Sequence, residues 1–111
     1  MVTIDALRQM GADVDDGLAR CMNMESFYLD LVNMALKDPG FEKLSDAVKA
    51  GDNKAAFEAA HGLKGIVANL SITPLSNEIS EMTELLRKDQ EADYQGYVDR
   101  ILDMRNKLSA L

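Results

Sequence analysis

The chain has 111 residues, 47% hydrophobic and 28% charged, a composition that suits one globular domain over residues 1–111 and excludes a disordered or membrane-embedded chain. Its net charge of −7, from 19 acidic and 12 basic residues, argues against nucleic acid and anionic membranes as partners, because both are bound through clustered Lys and Arg. Aromatic residues make up only 5%, so the core is expected to be aliphatic, with the seven methionines filling its gaps.

Helical periodicity runs through almost every segment, and strand-like alternation is absent. Thr3 is placed to cap a short helix, IDALRQM, closed by Gly11, and Asp13 to cap a second that runs to about Met22. Asn23 then caps MESFYLDLVNMALKD, in which Phe27, Leu31, Met34 and Ala35 recur at helical spacing. The DPG at 38–40 breaks the chain before FEKLSDAVKA, with Phe41, Leu44 and Val48 on one stripe and Gly51 at its end. A long helix covers 53–70. Thr73, with Pro74 at the first helical position, opens the next, striped by Leu75, Ile79, Met82 and Leu86. The last runs from Tyr94 to Leu108 with Tyr97, Ile101, Met104 and Leu108 on one face. Short connections make neighbouring helices antiparallel, so the expected fold is all-α: an up-down four-helix bundle with short additional N-terminal helices.

No apolar run approaches the ~20 residues of a membrane span, and MVTIDALRQ lacks the basic and apolar regions of a secretory signal. The one cysteine, Cys21, has no internal disulfide partner and sits among apolar residues as a packed thiol. These features predict a cytoplasmic protein. A start methionine and a helical end at Leu111 lead us to expect a free-standing domain.

The single histidine lies in AAHGLKGIVANL, residues 59–70. At roughly 100° per residue, Ala56, Ala60, Leu63, Val67 and Leu70 form the core stripe, and His61 points about 140° away from its centre. Lys64 and Gly65 follow three and four residues later, and Ala68 one turn beyond, so all three share or flank the face of the histidine. Gly62 and Gly65 each weaken a helix by roughly 1 kcal/mol relative to Ala. Helical side chains lean toward the N-terminus, so a large residue at 65 would cover the ring, whereas glycine leaves it open. An accessible imidazole with an ammonium nearby suits a phosphoryl-accepting nucleophile. Patterning alone leaves that role and an ordinary surface histidine both open.

The residues AHGLKGIVANL closely resemble the signature of histidine-containing phosphotransfer (HPt) domains, in which the accepting histidine is followed by an apolar residue, a lysine and a glycine at the positions held here by Leu63, Lys64 and Gly65. Ala60 and Asn69-Leu70 fit as well, and the likeness extends from about Val14 to Leu86. Two departures are Gly62, where the family commonly has Ser or Thr, and Ser71-Ile72, where Gly-Ala is usual.

The resemblance implies a four-helix bundle that accepts a phosphoryl group on His61, at Nε2, from a receiver-domain aspartate or a sensor histidine kinase and passes it to a response regulator. It implies Lys64 as the charge partner of the phosphoryl oxygens and Gly65 as access to the ring. Phe57, Ala68, Asn69 and Arg87 are expected docking residues, Arg87 lying with Ser76, Ser80 and Thr83 on one flank of the following helix. It implies no nucleotide chemistry, no cofactor or metal of its own with Mg²⁺ on the partner receiver, and a monomer. DVDD at 13–16 is expected to cap a helix and complement its dipole rather than to bind a cation. Two other readings are a portion of a larger histidine kinase and a non-phosphorylated adaptor that binds receivers.

Overall fold

The computed structural model describes residues 1–110, whose regular structure is α-helical without strands. The helices are α1 (Ile4–Met10), α2 (Val14–Arg20), α3 (Glu25–Leu36), α4 (Gly40–Lys49), α5 (Asn53–Asn69), α6 (Thr73–Arg87) and α7 (Tyr94–Ser109). The helical end expected at Leu111 lies outside the described residues.

Side-chain caps set four of the helix starts. Thr3 accepts from the Ala6 amide, Asp13 from Asp16, Asp52 from Ala55 and Asp93 from Gly96, each satisfying a donor left free in a first turn. Asn23 does not cap α3: the N-cap is Met24, without a side-chain hydrogen bond. Met22 and Asn23 both take φ of 58°, and the Asn23 amide donates to Leu18 O, so Asn23 is spent in closing α2. The acidic run at 13–16 behaves as capping and pairing groups: Asp15 meets Arg8, and Asp16 meets Arg20 and the Ser71 hydroxyl.

α5 packs along α4 on one flank and α6 on the other, while α7 touches both α6 and α4. α3 packs on α7 and α2. Its N-terminal end is tied to the far end of α5 by Tyr28, whose buried hydroxyl donates to Leu70 O at 2.8 Å. Gly17 makes that approach possible, because a Cβ there would stand 2.6 Å from Cε1 of the Tyr28 ring. α2 covers the α5–α6 turn, where the Asp13 amide donates to Ser71 O. The core stripes of α5 (Ala56, Ala60, Leu63, Val67, Leu70) and α6 (Leu75, Ile79, Met82, Leu86) are buried as their spacing predicts, and Cys21 is buried too.

Two stripes differ from expectation. In α3 the buried residues are Tyr28, Val32, Ala35 and Leu36, whereas Phe27 is 47% exposed and Met34 69%. Apolar residues occupy more than one side of this helix, and the side carrying Tyr28 wins because the hydroxyl finds a buried acceptor there. In α7, Val98 takes a core place, while Tyr97 and Met104 are only half-buried beside Ile101 and Leu108. Val48 of α4 is likewise half-buried.

Candidate functional site

The core stripe of α5 fixes the helix against the rest of the protein and so fixes what its other faces present. His61 is exposed, on the flank turned toward α6. One turn earlier, the half-buried Phe57 stacks on it with ring centroids 5.6 Å apart and planes 14° from parallel. This i,i+4 stacking orients the imidazole without covering it. Arg87, at the end of α6, lays its guanidinium over the Phe57 ring at 5.1 Å from the centroid. Arg87, expected among the docking residues, thus stands over the ring on which His61 stacks.

Lys64 follows His61 by three residues and is half-buried. Its Nζ lies 4.0 Å from Oε1 of Glu84 on α6, the long end of ion-pair contact. Arg87 Nε reaches that same oxygen at 3.4 Å. One carboxylate thus bridges the two cations of the site. No motif marks Glu84 in the sequence; its one signal there is its position three residues before Arg87, on the same solvent-facing flank of α6.

The two glycines of the motif have similar surroundings but different places. A Cβ at Gly65 would meet nothing within 4 Å, and the same holds at Gly62. Neither glycine is required by packing within the chain. Gly62 lines an open groove of about 770 Å³ between α4 and α5, with Lys43, Ala47, Ala59 and Ile66. Lys64 and Phe57 lie on the other flank of α5, against α6. Ala68 and Asn69 are exposed on the last turn of α5.

Of the rest of the expected flank on α6, Thr83 turns into the core. Thr83 is fully buried and its hydroxyl donates to Ile79 O at 2.7 Å. Its spacing lies too close to the core stripe of Ile79, Met82 and Leu86 to face solvent. Ser76 turns its hydroxyl to Thr73 O, and Ser80 is half-buried.

An exposed imidazole on a fixed helix, stacked on Phe57, with Lys64 three residues on and Arg87 over the same Phe57 ring, is an arrangement that can take an anionic group. Compared with protein-family models, residues 28–111 match that of the Hpt domain. The chain belongs to the Hpt domain family. Membership places it in histidine phosphotransfer within two-component signalling, a family of phosphotransfer carriers that works with receiver domains and histidine kinases. The match begins within α3 and takes in α4 to α7, and so reaches beyond the likeness expected to end near Leu86 while omitting α1 and α2. Curated proteins and solved structures give no match to the chain. No helix among the described residues is long and apolar enough to cross a membrane.

Proposed function

We propose that this Hpt domain is a phosphorelay carrier in which His61 accepts a phosphoryl group from the aspartyl phosphate of a receiver domain, or from a histidine kinase, and passes it to a response regulator. In the receiver-to-carrier step a ring nitrogen, Nε2 by likeness to the family, forms an N–P bond as the acyl phosphate P–O bond breaks. The electron pair leaves with the aspartate carboxylate, and the second ring nitrogen keeps its hydrogen. Lys64 offsets the charge on the phosphoryl oxygens, Gly65 leaves the partner room, and Phe57, Ala68, Asn69 and Arg87 meet it around the ring. Mg²⁺ belongs to the receiver in this reading, and the chain brings no nucleotide or metal chemistry of its own.

The observation that carries the reading is the exposure of the only histidine midway along α5, stacked on Phe57, with Lys64 one turn on. We further read residues 1–111 as one monomeric, cytoplasmic domain. Its helices close as an antiparallel up-down four-helix bundle, with α3 and α4 forming one broken side because the DPG at 38–40 interrupts them. Incubation with phosphorylated receiver domains tests the reading: acid-labile, alkali-stable label is expected on the wild type and none on His61→Gln. Undiminished label on His61→Gln overturns the assignment. Failure of every receiver in a broad panel to label the folded wild type favours a receiver-binding adaptor instead.

A further inference from the structure

The geometry points to Glu84 as a positioning residue: an internal anion that holds Lys64 and Arg87 while His61 is unmodified and that an incoming phosphoryl group must displace. This inference rests on the phosphotransfer reading of His61 and adds a determinant that the histidine motif itself does not contain. A single oxygen, Oε1 of Glu84, serves both cations, Arg87 Nε at 3.4 Å and Lys64 Nζ at 4.0 Å. Neither distance is that of a tight charge-assisted hydrogen bond, and all three side chains remain between 36% and 48% exposed. Exposed pairs of this kind are weak and readily exchanged. A phosphoryl group on the His61 ring carries three acceptor oxygens and close to two negative charges, so it outcompetes one shared carboxylate oxygen for either cation.

Two consequences follow from the sign of the charges. In the unmodified protein Lys64 is drawn toward α6 rather than left free above the ring, so loading His61 includes the cost of parting Lys64 from Glu84. Once the phosphoryl group is in place, Glu84 is a like charge beside it, and its repulsion lowers the stability of the phosphohistidine. Both effects keep the bound group easily passed on, which suits a carrier better than a store. Arg87 adds reach, because its guanidinium already rests over Phe57, the ring stacked on His61. Releasing Arg87 from Glu84 thus frees a second cation without moving the platform.

Potassium phosphoramidate tests this without any protein partner. In that exchange the P–N bond to ammonia breaks, the N–P bond to the His61 ring forms, and ammonia leaves with the electron pair. At fixed phosphoramidate and ammonium concentrations, phosphorus NMR gives the amount of phosphohistidine, and the known total protein concentration converts it to the ratio of phosphohistidine to free protein. Glu84→Gln is expected to raise that ratio about three- to tenfold over wild type at low salt, the range set by freeing two exposed pairs. The gain should shrink toward zero at about 1 M salt, where the screening length is near 3 Å. Glu84→Asp, which keeps the charge, should return most of the way to wild type. Asp30→Asn, an equal charge change on α3, should leave the ratio unchanged. In Lys64→Gln the effect of Glu84→Gln should fall by at least half, which a merely structural role would not produce. Thermal melts of each variant show that it is folded. A wild-type ratio in Glu84→Gln, an equal gain in Asp30→Asn or a gain indifferent to salt overturns the inference while phosphorylation of His61 stands. A ring that takes no phosphoryl group in the folded wild type overturns the reading of His61 and this inference with it.

Discussion

Replacing Gly65 should separate stability from function with opposite signs. Glycine inside a helix costs roughly 0.8–1 kcal/mol relative to alanine, and a Cβ at position 65 would meet nothing within 4 Å. Gly65→Ala therefore carries no steric penalty and should stabilise the protein by about 1 kcal/mol, raising Tm by about 4 °C for a chain of this size. Gly65→Leu should retain most of that gain, because leucine is nearly as good a helix former as alanine. Its side chain, however, leans back over the turn that carries His61 and, on the proposed reading, takes the space through which a partner's aspartate would approach. Transfer from a phosphorylated receiver should then fall at least about tenfold, equivalent to roughly 1.4 kcal/mol of barrier. Gly62→Ala is the matched comparison. It too faces open space and should stabilise by a similar amount, but it borders the groove toward α4 and should keep transfer within about twofold. Urea and thermal unfolding read the first quantity, and single-turnover transfer from a labelled receiver reads the second. A Gly65→Leu protein that is folded and transfers at the wild-type rate would refute the access argument. Loss of stability in Gly65→Ala would refute the geometry on which it rests.

The remaining predictions concern the tie between α3 and the end of α5. Tyr28→Phe leaves the buried Leu70 carbonyl without its donor and should cost roughly 1–3 kcal/mol, seen as a lower urea midpoint at unchanged m. Gly17→Ala drives a Cβ to 2.6 Å from the Tyr28 ring and should cost a similar roughly 1–3 kcal/mol by overpacking; in the Tyr28→Ala background, where the ring is gone, that cost should disappear. Burial, with the nearby Cys21 thiol and the Asp13 and Asp16 carboxylates, pushes the Tyr28 phenol up to about 12. Its folded value lies above the unfolded value near ~10, so the stability it contributes is complete below pH ~10 and is lost as pH rises from there toward 12. Tyrosinate absorbance should show Tyr28 titrating last of the three tyrosines, and that step should vanish in Tyr28→Phe.

How much was legible in the sequence depended on how many ways a helix could face. In α5 the buried residues Ala56, Ala60, Leu63, Val67 and Leu70 recur at helical spacing on one narrow stripe, which set His61 on an open face. α3 lacks that asymmetry. Phe27, Tyr28, Leu29, Leu31, Val32, Met34, Ala35 and Leu36 surround much of its axis, and the spacing of Phe27, Leu31 and Met34 is as regular as that of Tyr28, Val32 and Ala35. The choice between them is made by a hydrogen bond to Leu70, 42 residues away, and by the absence of a side chain at Gly17. Local periodicity contains neither fact. Glu84 was hidden for the same reason: its relation to Lys64 exists only once α6 lies against α5.

The same distinction accounts for the composition of the site. Much of what holds α5 in place lies on its core stripe and at its two ends, where Asp52 caps the start and Leu70 accepts from Tyr28 at the close. That arrangement leaves the solvent side of the helix free of structural duty, so two glycines are tolerated there without any packing return. The local stability lost is the same at both positions, but only one of them stands a turn from the imidazole, on the face where Phe57 and Lys64 flank it. A glycine that fills no gap and serves no turn in the free chain is not explained by that chain's own packing. On the proposed reading of His61, position 65 gains a reason in the approach of another protein's carboxyl phosphate. At position 62 the chain's own contacts supply none.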